Sequence, residues 1–302
     1  MKWPLLACVL LPGILVYYGL HIVRREVIFV DLALAQVAAL GTCLAVLLGH
    51  DAHDWQTYAW GIGFTFAGAV IFTLTRTQER RVPQEALIGI VYVVAVAAGI
   101  LLLSRNPEGN EQLKRTMLGD VLLVRRGEVL KTFVFFSAVG LVHYLWRKQF
   151  LLLSFDPNRA IAEGLRVRRW DLLFYILFGL VVTSFVQIGG VLLVFSYLVI
   201  PAVCASYLAD SLAARLWAAW AVAIIGGLVG VGASYELDLP TGAAIVCALG
   251  GILLAVGTGV CLWQIRRGVA NRSTLSAPTR KRAQTKAHVG AVENNDSARM
   301  TK

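Results

Sequence analysis

Apolar runs of about twenty residues recur along this chain, with short polar segments between them. The hydrocarbon core of a bilayer is about 30 Å thick, so a helix needs roughly 20 mostly apolar residues to cross it. The sequence therefore predicts an all-α fold, a polytopic bundle of about nine membrane helices, within a range of about eight to ten. The predicted spans are residues 4–23, 27–48, 58–75, 83–104, 131–146, 170–188, 190–208, 213–235 and 241–263.

The basic residues between the spans predict an orientation. Arg24 and Arg25 follow the first span, and Lys and Arg also follow the third, fifth and ninth. Because cytoplasmic loops are enriched in Lys and Arg, we expect the N-terminus outside and the C-terminus in the cytoplasm. One loop, residues 105–131, is predicted outside although it is basic, and its apolar stretch 117–124 predicts a short interfacial or partly re-entrant helix.

Composition supports a membrane protein and sets the domain division. The chain is 58% hydrophobic and only 15% charged, whereas soluble domains have about 25% charged residues. We predict a membrane domain over residues 1–265 and a basic, disordered cytoplasmic tail over residues 266–302, which has no periodic apolar face. Because this charge follows a membrane exit, it predicts contact with membrane lipid and argues against nucleic-acid binding.

No nucleotide-binding motif of the form GxxxxGK[ST] occurs in the sequence. The chain therefore lacks the glycine-rich loop and lysine with which such proteins cradle ATP phosphates. The predicted spans also contain no nucleophile paired with a general base. We expect a transport subunit rather than an enzyme, with ATP hydrolysis, if ATP powers it, in a partner chain.

Several segments, in order and spacing, are similar to one protein family. They are IVRREVIFVDLALAQVAALG (22–41), LLLSFDPNRAIAEGL (151–165), VQIGGVLLVFSYLVIPAVCASYLADSL (186–212) and SYELDLPTGAAIVCALGGILL (234–254). Over roughly residues 10–263 the chain resembles the permease subunits of bacterial zinc, manganese and iron ABC importers. The resemblance implies a pore-forming subunit of the inner membrane that imports divalent metal ions.

The same resemblance implies partners. They are a cytoplasmic ATP-binding-cassette subunit, an extracytoplasmic solute-binding protein and a second copy of this chain in a homodimer. It implies no cofactor on this chain, with ATP acting through the partner. A permease for a chelated metal or another small solute stays open as an alternative. A secondary carrier is less consistent with the sequence, because no inverted repeat is visible.

The resemblance also implies where the ATPase binds. We expect the segment 201–215, which includes the end of the seventh span, to form a short helix along the membrane surface that seats on the ATPase. Its candidate residues are Pro201, Ala202, Ser206, Asp210, Ser211 and Arg215. The charged segment 155–169, in which Asp156-Pro157 signals a turn, is a second candidate contact.

Asp31 is the main candidate on the translocation path, because ionisable groups inside a span are costly and usually functional. The resemblance implies a histidine four residues after the aspartate, which would place both on one helix face. Counted from Asp31, that position holds Ala35; counted back from Gly41, it holds Gln36, and the aspartate position holds Leu32. Gln36 lies about 140° around the helix from Asp31. An ion pair of Asp31 with Arg24 or Arg25 is the structural alternative.

A second cluster, HDAHD, lies at a predicted outer helix end. Its members His50, Asp51, His53 and Asp54 are a weaker candidate for gathering divalent cations at the entrance.

Overall fold

The computed structural model describes residues 2–10, 12–50, 54–76, 82–104 and 126–275, and these residues contain helices but no strand. The helices are α1 (Lys2–Leu10), α2 (Pro12–Arg25), α3 (Val30–Leu47), α4 (Trp55–Leu74), α5 (Gln84–Leu103), α6 (Arg126–Leu145), α7 (Arg147–Phe155), α8 (Pro157–Ala162), α9 (Val167–Leu208), α10 (Leu212–Leu237) and α11 (Thr241–Leu275). The predicted all-α fold is confirmed.

Eight stretches of helix in the described part of the chain are long and apolar enough to cross a membrane. The first runs from Leu6 to Arg25, and the others are in α3, α4, α5, α6, α9, α10 and α11. Seven of the predicted spans each correspond to one of these helices. The predicted spans 170–188 and 190–208 both fall in α9, which has 42 residues.

Helix α9 doubles back on itself at Gly190, whose backbone has φ 73° and ψ 165°. The rings of Tyr18 and Phe178 lie 5.0 Å apart, while the adjacent Gly19 backs directly onto the backbone of Leu198. Twenty residues of straight helix would separate positions 178 and 198 by about 30 Å. Both positions meet neighbouring residues of α2, so α9 is two antiparallel passes joined at a glycine, as the two predicted spans require.

Helix α2 packs against both passes of α9. Its Gly19 is required there, because a Cβ atom at this position would lie 2.0 Å from the carbonyl oxygen of Leu198. Small residues allow membrane helices to approach this closely. In the most apolar stretch of α9, 67% is buried inside the protein, whereas in that of α5 only 11% is buried. The α9 hairpin is therefore central and α5 is peripheral.

The connection between α9 and α10 corrects one prediction. We expected a separate surface helix after Pro201, but α9 continues through Pro201 to Leu208 and only residues 209–211 precede α10. Pro201 lies inside the helix and is buried. Neighbouring helices can satisfy the backbone groups that a proline leaves unpaired in a spanning helix, so a proline need not end it.

Helix α11 crosses the predicted boundary between the membrane domain and the tail. Its stretch that is long and apolar enough to cross a membrane ends at Arg266, and the helix itself continues to Leu275. The described residues up to Leu253 form one compact unit, and those from Leu254 to Leu275 belong to a second. The predicted interfacial helix at 117–124 and the tail beyond Leu275 lie outside the described residues.

Candidate metal path and coupling site

Asp31 lies in the first turn of α3 and is 1% exposed. Both oxygens of its carboxylate are buried, and neither has a hydrogen-bond partner in the described part of the chain. Burial of a charge without a partner is costly. This carboxylate is therefore available to a cation in a way that a paired structural carboxylate is not.

The alternative interpretation of Asp31, an ion pair with a nearby arginine, is wrong. The Arg25 guanidinium instead pairs with Asp171, with Nη1 and Oδ1 3.0 Å apart. Arg24 is exposed and its guanidinium lies 5.9 Å from the centre of the Phe155 ring. The arginines at the end of α2 thus point to α7 and α9 for their contacts, and Asp31 is left unpaired.

Glu85 brings a second carboxylate to the same end of α3. It lies in the first turn of α5, and its Oε1 accepts a hydrogen bond of 2.9 Å from the backbone N–H of Phe29. Its other oxygen, Oε2, is buried without a partner among the described residues. The sequence analysis missed Glu85, although an acidic residue two positions after Pro83 at the start of a span was a visible signal.

Gln36 is buried, with 4% of its surface exposed. Helix α3 runs without interruption from Val30 to Leu47, so Asp31 and Gln36 remain about 140° apart around it. The structure therefore does not bring these two candidates onto one face of α3. Ala35, four residues after Asp31, is also buried.

The outer candidate cluster is only partly within the described residues. His50 lies in the turn after α3, Asp54 is exposed immediately before α4, and Asp51 and His53 lie outside the described residues. Among those that are described, no group of three or more His, Cys, Asp or Glu side chains could hold a metal ion. His50 lines an open cavity of about 540 Å³ together with Trp55, Gln56, Ala59, Trp60, Gly63, Phe64 and Ala67.

A buried charge cluster joins three helix ends at Asp171. The Asp171 carboxylate, 1% exposed, accepts hydrogen bonds through Oδ1 from Arg25 and from Arg76, which follows α4. The Arg25 guanidinium also lies 3.8 Å from the centre of the Phe174 ring. Removal of one partner from a buried pair costs about 3–5 kcal/mol, so this cluster holds the ends of α2, α4 and α9 together.

The charge cluster continues into α7 through Ser154. The Arg25 Nε donates a hydrogen bond of 2.7 Å to Ser154 Oγ, which also lies 2.7 Å from His21 Nδ1. Because Ser154 Oγ accepts from Arg25, its hydroxyl hydrogen is free to be donated to His21. Nearby, Tyr18 Oη is 2.8 Å from His143 Nε2, which ties α6 to α2.

Asp171 is the functional candidate that sequence reasoning missed most clearly. It lies one residue inside the predicted span 170–188, where an acidic group should have been singled out by the same argument as Asp31. Its partners could not be found in this way, because Arg25 and Arg76 are 146 and 95 positions away along the chain.

The predicted ATPase-coupling residues differ in exposure. Pro201 and Ala202 are buried, Arg215 is partly buried, and Ser206, Asp210 and Ser211 are exposed. The polar side chains mostly bond to nearby backbone: Ser206 Oγ donates to Ala202 O, Ser211 Oγ accepts from Ala214 N, and Arg215 Nε donates to Ala209 O. Asp210 is thus the exposed charge of the short connection.

The second candidate contact forms its own helix. The Asp156 side chain caps α8 by accepting a hydrogen bond of 3.1 Å from Arg159 N, and Arg159 pairs with Glu163 at 2.8 Å. Because α9 doubles back, its start at Val167 and its end at Leu208 lie at the same end of the hairpin. Both predicted ATPase contacts, 155–169 and 201–215, therefore meet at one end of the bundle.

Comparison with known proteins places this architecture. Residues 1–258 match the model of the ABC 3 transport family. The chain is 31% identical over 192 residues to the manganese transport system membrane protein MntB of Synechocystis, covering 64% of this chain and 61% of that protein. It is 32% identical over 197 residues to MntC of Listeria innocua, a manganese transport system membrane protein, covering 63% of this chain and 70% of the relative.

The fold agrees with a solved structure. The chain superposes with a TM-score of 0.70 and 23% identity on a chain of PsaBC from Streptococcus pneumoniae, covering 84% of this chain and 90% of that one. At this identity the likeness concerns the fold. The match over residues 1–258, with the helices long and apolar enough to cross a membrane, shows that the chain belongs to the ABC 3 transport family and is a multi-pass protein of the bacterial inner membrane.

Proposed function

We propose that this chain is the pore-forming subunit of an ABC importer for a divalent transition metal ion, with Mn²⁺ as the substrate to test first. The observation that carries the proposal is the buried carboxylate of Asp31, whose two oxygens have no hydrogen-bond partner in the described part of the chain. Two of the relatives are named as manganese transport proteins, which supports the choice of ion.

The donor atoms at this position favour a hard cation. Asp31 offers two carboxylate oxygens and Glu85 one more, Oε2. Neither Ala35 nor Gln36, the two positions at which the family resemblance leads one to expect a histidine, supplies an imidazole. Carboxylate oxygens suit Mn²⁺ better than Zn²⁺, for which imidazole and thiolate ligands are more favourable. An ion that is being transported keeps some of its water ligands. Two carboxylates are therefore enough to form a transient binding site for it.

The transporter requires partners that this chain does not contain. The sequence has no phosphate-binding loop, so a cytoplasmic ATPase hydrolyses ATP and this chain carries no catalysis and no cofactor of its own. We assign the ATPase contact to the segments 155–169 and 201–215. Both segments lie at the same end of the α9 hairpin, which supports a single docking face for the ATPase. A solute-binding protein delivers the ion outside, and a second copy of this chain completes the pore.

Transport of Mn²⁺ by substituted proteins tests the path. Asp31→Asn keeps the size of the side chain and removes its charge. The loss of a contact between a charge and its ligand, about 1.5–3 kcal/mol, should lower uptake roughly 10- to 100-fold. We expect a smaller loss for Glu85→Gln, because Glu85 offers one free oxygen. Uptake is measured in proteoliposomes containing the permease, its ATPase and its binding protein.

A matched control is available in Glu128, an exposed carboxylate in the first turn of α6. Glu128→Gln also removes a negative charge from the first turn of a helix and should leave Mn²⁺ uptake at the level of the unsubstituted protein. Normal uptake by Asp31→Asn would show that the carboxylate is not on the path. Ala35→His rebuilds an Asp–His pair on one helix face and should shift the preference towards Zn²⁺.

The outer cavity favours a second candidate, a permease for a chelated metal. Its volume is about 540 Å³ and its walls include Trp55, Trp60 and Phe64, and aromatic walls of this kind are typical of sites for organic ligands. Six waters around a bare ion would fill only about 180 Å³. If the chelate is the substrate, Trp60→Ala should reduce uptake of chelated Mn²⁺ but not of free Mn²⁺.

A further inference from the structure

Three charged side chains from distant parts of the chain meet at the end of the bundle where the predicted ATPase contacts lie. Asp171, at the start of α9, accepts hydrogen bonds from Arg25 and Arg76 through the same oxygen. Arg25 and Asp171 are 3% and 1% exposed, and Arg76 is 23% exposed. We propose that Asp171 is a positioning residue of the transport cycle, which carries movement of the ATPase-facing helices to the metal path.

The first step of this connection runs from the ATPase-facing helices to Arg25. Ser154 is near the end of α7, directly before the segment 155–169, and its hydroxyl oxygen accepts a hydrogen bond from Arg25 Nε. On the other side of that segment, α9 begins at Val167 and presents Asp171 to the same guanidinium. Both ends of the segment are therefore fixed to one arginine, and a displacement of α8 acts on Arg25 from two directions.

The second step runs from the charge cluster to the two carboxylates of the path. Arg25 is the last residue of α2, and only residues 26–29 separate it from α3, whose second residue is Asp31. On the opposite side, Gln84 Nε2 lies 3.4 Å from the hydroxyl oxygen of Tyr175, one turn after Asp171. Gln84 is the neighbour of Glu85, so the cluster is connected to the helix starts that carry both carboxylates.

Charge explains why this cluster can act as a unit. Two guanidinium groups share one carboxylate, and the buried Arg25 Nη2 has no hydrogen-bond partner in the described residues. Loss of the Asp171 charge would leave both cations without compensation in a largely buried place, and they would repel each other. Packed helices transmit motion as rigid bodies only while they stay joined. Without the Asp171 charge, the ends of α2, α4 and α9 would no longer move together.

The experiment measures how many Mn²⁺ ions are imported for each ATP hydrolysed, in proteoliposomes that contain the permease, its ATPase and its binding protein. Asp171→Asn should lower this ratio at least about tenfold while ATP hydrolysis continues, because the charges that join the helices are unbalanced. Asp171→Glu keeps the charge and should restore most of the ratio. A residue with a merely structural role would reduce hydrolysis and uptake in proportion, and this outcome would overturn the proposal.

A second pair of variants keeps the proposal testable if Asp171→Asn does not fold. Arg76→Gln removes the more exposed partner and leaves the Arg25–Asp171 pair intact, and it should still lower the ratio severalfold. Arg147→Gln is the matched control, since Arg147 is exposed at the start of α7 and its guanidinium lies 5.2 Å from the centre of the Tyr144 ring, away from Asp171 in its contacts. It should leave the ratio unchanged. An equal effect of both substitutions would contradict the inference.

The inference rests on the proposed ATP-driven import, and the two can fail separately. If the unsubstituted complex hydrolyses ATP but imports no Mn²⁺, the proposed function is wrong. If it imports Mn²⁺ and Asp171→Asn imports as many ions for each ATP, the function stands and the role of Asp171 is refuted.

Discussion

Gly190 offers the sharpest test of the α9 hairpin. Its φ of 73° and ψ of 165° lie in a backbone region that is accessible almost only to glycine, and a residue with a Cβ atom is strained there by about 1–3 kcal/mol. The hairpin cannot relieve the strain by straightening, because Phe178 and Leu198 are both held against α2. Gly190→Ala should therefore destabilise the folded protein by about 1–3 kcal/mol.

Thermal unfolding of the detergent-solubilised protein measures this effect, with a decrease in melting temperature of about 2–4 °C expected for each kcal/mol. Gly99 provides the control, because it lies inside α5 and no atom would come within 4 Å of an added Cβ. Alanine is favoured over glycine in a helix by up to about 1 kcal/mol, so Gly99→Ala should be neutral or stabilising. Equal melting temperatures for the two variants would refute the backbone assignment at Gly190.

Two other substitutions and a truncation test the packing and the tail. Gly19→Val should separate α2 from α9 and lower the melting temperature more than Gly99→Val, because even a Cβ atom at position 19 would overlap Leu198 O. Tyr18→Phe removes the hydroxyl next to His143 and should cost about 1 kcal/mol in the same unfolding assay; no change would mean that the contact contributes nothing. Truncation after Leu275 should leave Mn²⁺ uptake intact, and a loss of uptake would show that the tail has a role in transport.

The sequence by itself determined the helical class and nearly all of the spans. Whether a run of residues is long and apolar enough to cross a bilayer is a local property, so the predicted spans agree with the described helices to within a few residues at most ends. It also identified Asp31, because a carboxylate inside an apolar run is visible without knowledge of its neighbours. The order of several short motifs also predicted the transporter family, and the match over residues 1–258 confirmed this prediction.

Only the tertiary structure decided which groups meet. The partner of Arg25 turned out to be Asp171 rather than Asp31, because the α9 hairpin packs against α2 and brings residue 171 to the end of that helix. The helical continuation through Pro201 likewise depends on neighbours that hold the backbone in place. Spans are set by the bilayer, which acts on each segment separately, whereas pairing between segments is set by packing among all of them, and no local pattern in the sequence contains that information.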